Sequence, residues 1–256
     1  MEQAYFNRGN NLETYLQLCT QYYDLEQHPY DADAVRFYLQ HALQAGGPIL
    51  EPMCGTGRFL IPIAQAGCDI EGFDASEFML AACRQKYPQA QVQYAFAERF
   101  VPQRKYNLIF IPYGSWGLIV KKEDAIKGLQ VLYDALVPGG KFIVDIDTVF
   151  SVPTHTDVWH RALNRREDGA VIALNTLPSY NADKQLFQCS CRYELLQQGK
   201  VTLVEEEFFE QYLYRHEEFL DVLRSVGFTH IVAYQDHTKS PLVNDRAQMI
   251  VYECTK

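Results

Sequence analysis

The apolar positions of this chain keep two rhythms in turn. From Asp31, the stretch DADAVRFYLQHAL places apolar residues at 35, 38, 39, 42 and 43, a helical spacing with Asp31 or Asp33 available as a cap, and Gly46-Gly47-Pro48 ends it. PILEPM then predicts a short strand, GRFLIPIAQAG a helix closed by Gly67, and CDIEGFD a second strand. Ser76 stands where it can cap the helix EFMLAACRQKYP, which stops at Pro88, and QVQYAFA predicts a third strand. YNLIFIPY is a continuous apolar run of the kind that sheets covered on both faces bury. DAIKGLQVLYDALVPGGKFIVDIDT completes the series as helix, Pro-Gly-Gly turn and fifth strand. Strand and helix alternate from about residue 48 to 148, which predicts an α/β, doubly wound, mostly parallel sheet.

After Thr148 the helical spacing disappears. VWHRALNRR, GAVIALNTLPSY, KQLFQCSCRYELLQQ and KVTLVEEEFFEQYLY are separated by turn signals at Asp168-Gly169, Asn181-Ala182-Asp183 and Gln198-Gly199, the pattern of an antiparallel meander. RHEEFLDVLRSVGF restores a helix with Gly227 at its stop, and THIVAYQD and AQMIVYEC predict two last strands. Four segments result: 1–46 as an N-terminal helical lid, 47–149 as an α/β core, 150–204 as an antiparallel β insertion, and 205–256 completing the core sheet.

Composition narrows the function. The 256 residues are 48% hydrophobic and 21% charged, enough to bury one sizeable core with an elaboration. No apolar stretch is long enough to span a bilayer, and MEQAYFNRGNNLETY lacks the charged and apolar regions of a signal peptide, so a cytoplasmic protein without membrane contact is expected. Seven scattered cysteines read as reduced thiols. Cys189 and Cys191 would share one face of a strand with no second ligand pair nearby, so no metal is expected. A net charge of −9 disfavours a nucleic-acid surface.

The chemistry sits in EPMCGTGRF, residues 51–59, between a strand and a helix. A phosphate loop would need Lys-Ser or Lys-Thr where Arg58-Phe59 stand, and a dinucleotide fingerprint a third glycine where Leu60 stands. What remains is a turn whose backbone approaches a ligand at Gly55 and Gly57, preceded by Glu51 and followed after the next strand by Asp74.

In these residues the sequence resembles the class I S-adenosylmethionine (SAM)-dependent methyltransferases, small-molecule type with an antiparallel insertion after the fifth strand. Glu51-Pro-Met-Cys-Gly-Thr-Gly-Arg58 is similar to their first motif, Asp74 in GFDAS to the acid that accepts both ribose hydroxyl hydrogens, and Leu136-Val-Pro-Gly-Gly-Lys-Phe142 to the turn before the fifth strand. The resemblance implies a Rossmann-like, seven-stranded sheet, SAM as cofactor and S-adenosylhomocysteine as product. It places Glu51, Met53, Gly55, Gly57, Asp74, Ala75, Phe96, Ala97 and Ile111 at the cofactor, with Met53 where the first glycine is usual and Phe96 where an acid is usual.

SAM's methyl group is already electrophilic, so the protein mainly aligns an acceptor lone pair and excludes water. Acceptor-side candidates are Tyr23, Tyr30, Tyr113, Trp116 and Asp147, the last three at carboxyl ends of predicted strands, with Tyr113 and Trp116 able to form an aromatic wall. Asp147, His28, His155 and His160 are candidate bases, each weighed against a structural or exposed role. Trp159, Tyr180, Phe187 and Tyr193 give the insertion apolar surface, with which it roofs the acceptor site or pairs subunits in a homodimer. The leading expectation is methyl transfer to nitrogen or oxygen of a small molecule. The rivals are a non-catalytic SAM-fold binding protein, a methyltransferase of protein side chains and, last because of Leu60, a nicotinamide enzyme.

Overall fold

The computed structural model of the chain describes residues 12–26 and 31–256. Its larger sheet is built from β1 (Ile49–Pro52), β2 (Ile70–Asp74), β3 (Val92–Tyr94), β4 (Tyr106–Ile111), β5 (Leu136–Asp147), β10 (Thr229–Tyr234) and β11 (Met249–Thr255), in the order β10-β11-β5-β4-β1-β2-β3. The strands from β5 to β3 are parallel, while β11 runs antiparallel between β5 and β10. The chain order reverses at β1, which pairs with β2 on one side and β4 on the other, so a crevice opens beyond the carboxyl ends of β1 and β4.

Both faces of this sheet are covered, which is why every residue of β1 is buried and β4 is apolar but for Asn107. On one face α5 (Lys122–Ala135) and α6 (His216–Val226) bring Leu129, Leu132, Phe219 and Leu223 onto Phe142 and Tyr252. On the other, α2 (Asp31–Ala45), α3 (Leu60–Gln65) and α4 (Glu77–Lys86) bring Tyr38, Leu60 and Leu80 onto Ile49, Phe110 and Val251. The Ser76 hydroxyl caps α4 by accepting from the Met79 N–H at 3.2 Å, and Gly227 ends α6 at φ 114°. Asp33 lies inside α2 and pairs with Arg36 at 2.9 Å instead of capping the helix. The Pro-Gly-Gly segment is not a separate turn. β5 begins opposite Tyr106 directly after α5, and residues 137–140 bulge out before pairing resumes at Leu108 and Lys141.

The insertion is a four-stranded antiparallel sheet of β6 (His160–Arg165), β7 (Val171–Asn181), β8 (Leu186–Gln197) and β9 (Lys200–Tyr212), in that order. β9 runs to Tyr212, within the KVTLVEEEFFEQYLY run read as a strand, so the insertion extends beyond a boundary at 204. Gln198 and Gly199 both take positive φ, 51° and 75°, as a two-residue hairpin turn requires. The inner face of this sheet packs on α1 (Gln17–Leu25): Leu18, Cys19 and Tyr22 bury against Ile172, Cys189, Cys191 and Tyr193.

Candidate functional site

The glycine turn leaves β1 through backbone that few side chains tolerate. Met53, Gly55 and Gly57 have φ of 57°, 54° and 82°. Met53 therefore occupies a left-handed position that glycine fills at no steric cost, which explains why glycine is usual there. The two glycines serve different ends. A Cβ on Gly57 would lie 2.7 Å from the Cys83 sulfur, so this residue lets α4 pack against the turn, whereas a Cβ on Gly55 would meet nothing within 4 Å. The turn is thus closed on its protein side and open at Gly55.

Two acids flank that opening. Asp74, at the end of β2, accepts from the Gly55 N–H and the Ser76 N–H, each at 2.8 Å. Glu51 is buried in β1, with its Oε2 lacking any hydrogen-bond partner. Burial, reinforced by the charge of Asp74, pushes the Glu51 carboxyl well up, and burial also raises Asp74 against the lowering pull of the Ser76, Gly55 and Ala75 amides.

The N-terminal segment straps this cradle. The Ser76 hydroxyl donates to the Tyr15 carbonyl at 2.7 Å, Thr56 donates to Asp24 at 2.5 Å, and Arg58 donates to the Tyr23 carbonyl at 3.1 Å while its guanidinium lies 4.2 Å from the Tyr23 ring centre. The strap is held from the insertion, since Glu207 on β9 accepts from the N–H groups of Tyr15 and Leu16 at 2.7 and 3.0 Å. Between α1 and the inner face of the antiparallel sheet lies a cavity of ≈ 270 Å³. Tyr15 and Tyr23 line it, and their carbonyls accept from Ser76 and Arg58 of the cradle, so cradle and cavity share a wall.

At the β5 end, Asp147 accepts from the Gln211 amide at 2.7 Å, and Gln211 lines the cavity. Burial raises the Asp147 carboxyl, with the Gln211 hydrogen bond pulling the other way. Two residues earlier, fully buried Asp145 accepts from the Tyr38 hydroxyl at 2.5 Å, the Tyr113 N–H at 2.8 Å and His237 Nε2 at 2.9 Å.

The residues proposed from sequence separate accordingly. Glu51, Met53, Gly55, Gly57, Asp74 and Ala75 gather at one cradle, with Ile111 buried at the adjoining end of β4. Phe96 is half-buried, edge-on to Tyr94 and under the Arg99 guanidinium at 5.3 Å, and precedes the short turn that starts at buried Ala97. Tyr113 is fixed by Asp145 against Phe59 and His237. Trp116 forms no wall: it is fully buried, with its indole ring filling the space that Gly128 leaves on α5. His155 and His160 are exposed and outside the cavity lining, and Trp159 is exposed too. His28 and Tyr30 lie outside the described residues. Cys189 and Cys191 do share a face, their sulfurs 3.6 Å apart, and no group of three or more His, Cys, Asp or Glu among the described residues is arranged to hold a metal ion. No helix among the described residues is long and apolar enough to cross a membrane. Sequence reasoning missed Tyr15, Asp145, Glu207, Gln211 and His237. Of these only Glu207 leaves a local trace, an acid on the strand face that otherwise carries Phe209 inward.

Known proteins resemble the chain in this region and in overall shape. Residues 49–140 match the family model described as methyltransferase domain. The chain is 27% identical over 125 residues to a dTDP-3-amino-3,4,6-trideoxy-alpha-D-glucopyranose N,N-dimethyltransferase of Streptomyces venezuelae, covering 49% of this chain and 52% of that one. The chain spans about half the length of the curated relatives it matches. An S-adenosylmethionine-dependent methyltransferase from Clostridium acetobutylicum superposes with a TM-score of 0.77 at 15% identity, covering 90% of this chain and 92% of that one. The CcbJ methyltransferase from Streptomyces caelestis superposes with a TM-score of 0.75 at 19% identity, covering 96% and 98%. At these identities the likeness is one of fold.

Proposed function

We propose methyl transfer from SAM to a nitrogen of a small-molecule acceptor, for a chain whose residues 49–140 match the methyltransferase-domain family and whose fold is shared with SAM-dependent methyltransferases. The observation that carries the proposal is the shared wall, in which Tyr15 and Tyr23 divide an acidic, glycine-lined cradle from a cavity of ≈ 270 Å³.

The residues present fit the cofactor. Gly55 is open where backbone must approach a ligand, and Glu51 holds a buried carboxylate oxygen in need of a partner. The Gly55 and Ser76 N–H groups sit on different oxygens of Asp74, and a carboxylate's acceptor capacity exceeds the backbone amides that reach it, which leaves room for a ribose hydroxyl. When bound, SAM supplies the electrophilic methyl group. The chain positions and encloses: Asp74 orients the ribose, Phe96 and Ala97 border the adenine, and α1, held by Glu207, shields the cradle from water. The small cavity favours a small molecule over a peptide. The N,N-dimethyltransferase name of the Streptomyces venezuelae relative supports nitrogen as the acceptor atom. The outer face of the insertion exposes Leu163, Val204 and Phe208 and is where a homodimer would form.

Calorimetry with S-adenosylhomocysteine tests the reading. Wild type is expected to bind, and Asp74→Ala to lose binding while remaining folded by circular dichroism. Unchanged affinity in the variant removes the ribose assignment, and no binding by wild type removes the proposal.

A further inference from the structure

The cavity's lining selects its occupant. Its walls are aromatic, with Tyr15, Tyr22 and Tyr23 on the α1 side and Phe187, Tyr193 and Phe209 on the insertion side. Among the described lining residues there is no lysine or arginine, and Glu26 carries the one carboxylate. Burial raises the Cys19 thiol and the Tyr193 phenol, so these groups are neutral. An anionic guest would leave water here without a charge-assisted hydrogen bond from a cationic side chain.

A second groove, in which Lys122, Lys184 and Arg215 stand beside Asp183 and Glu218, does not serve this cavity. It borders β9 through Tyr212, whereas the cavity borders β9 through Phe209 and Gln211. Consecutive strand residues point to opposite faces, so β9 stands between the two.

Gln211 is the polar group at the β5 end. Its Nε2 donates to Asp147 Oδ2 at 2.7 Å and to the Gly114 carbonyl at 3.2 Å. Both neighbours are acceptors, so the reversed amide would set oxygen against oxygen, and the orientation is fixed. Both amide hydrogens are committed, and Oε1 is left to accept a hydrogen bond.

We infer that this cavity takes a flat, apolar amine bearing no anionic group, with one amine N–H held by Oε1 of Gln211 and Asp147 positioning that amide. The inference rests on the methyl-transfer reading. In the transfer, the nitrogen lone pair forms the new bond to the methyl carbon, the carbon–sulfur bond breaks with its electrons going to sulfur, and the resulting ammonium gives its proton to water. Apolar surroundings keep the incoming amine neutral with its lone pair free, and aromatic walls tolerate the cationic product.

The test is calorimetry on the full chain saturated with S-adenosylhomocysteine. The probes are benzylamine, tryptamine, tryptophan, which adds a carboxylate to tryptamine, and a nucleotide-diphosphate-linked amino sugar. At least one of the two amines is expected to bind, tryptamine about tenfold or more tighter than tryptophan, and the nucleotide sugar not to bind. Gln211→Met is expected to weaken the bound amine about tenfold while leaving S-adenosylhomocysteine affinity unchanged, and to lower the melting temperature because Asp147 and the Gly114 carbonyl lose their donor. Binding of tryptophan or the nucleotide sugar as tight as the amines, or no amine binding at millimolar concentration, overturns the acceptor class while S-adenosylhomocysteine binding keeps methyl transfer standing. Unchanged amine affinity in Gln211→Met overturns the role of Gln211. Failure to load with S-adenosylhomocysteine is the separate result that removes both.

Discussion

His237 Nε2 lies 2.9 Å from Asp145 Oδ2, with the two side chains 5% and 0% exposed. The same carboxylate accepts from Tyr38 on α2 and from the Tyr113 backbone just beyond β4, so one buried acid ties three distant segments behind the crevice. Removing one partner of such a group strands the others without water. Asp145→Ala is expected to destabilise the fold by about 3–5 kcal/mol, and Tyr38→Phe by about 2 kcal/mol, measured by urea unfolding. A loss under about 1 kcal/mol in Asp145→Ala would show that the three donors find other partners.

Gly55 and Gly57 differ in what surrounds them, so alanine is expected to separate their roles. Gly57→Ala sets a Cβ against the Cys83 sulfur at φ 82° and is expected to cost about 2–3 kcal/mol of stability. Gly55→Ala meets open space, so its stability cost stays near the roughly 1 kcal/mol of a left-handed alanine, while under the proposed assignment the methyl intrudes on the cofactor and is expected to weaken its binding. Melting curves and S-adenosylhomocysteine titrations on both variants check the pair. Equal melting temperatures would contradict it.

That pair also shows what was legible in the sequence. A positive φ is a local demand that few residue types meet, so CGTG between a buried strand and a helix announces itself, as does Asp74 at the next strand's end. The alternation of apolar strands and amphipathic helices is local in the same sense. The Gln211–Asp147 and His237–Asp145 contacts join residues 64 and 92 positions apart, and no short pattern marks either partner. Trp116 misled because a tryptophan in a glycine loop at the crevice resembles a site wall. Gly128 inside a helical stretch was the available signal that a large ring needed room on α5.

Under the proposed SAM assignment, Glu51 and Asp74 are expected to make cofactor binding pH-dependent. Burial raises both carboxyls in the free protein, Glu51 further through the charge of Asp74. A cation brought into the cradle favours their ionised forms, so SAM binding is expected to release protons and to tighten as pH rises until both acids are ionised without ligand. S-adenosylhomocysteine lacks the sulfonium charge and is expected to release fewer. Calorimetry in two buffers of different ionisation enthalpy measures the release directly, and equal proton counts for the two ligands would refute the electrostatic role.

Glu253 on β11 is expected to contribute to the acid limb of stability. Its carboxylate is 17% exposed, lies 3.4 Å from His41 Nε2 and accepts from Lys239 Nζ at 3.2 Å. The His41 hydrogen bond, opposed by burial and aided by Lys239, holds its pKa at about 2, below the ordinary 4.5. Because the folded value lies below the unfolded one, the ionised carboxylate's contribution is complete above pH 4.5 and is lost as pH falls from there towards 2. Glu253→Gln is expected to be less stable than wild type by about 2 kcal/mol at pH 7, a figure reduced from the full linkage value because the pair is partly solvated. The gap between the two proteins is expected to narrow as pH falls from 4.5 towards 2, since the unfolded chain's carboxylate takes up its proton there while the folded one holds out until about 2. Urea midpoints of both proteins from pH 7 to 3 show whether the curves converge, and a constant separation across that range would mean that Glu253 contributes by packing instead of charge.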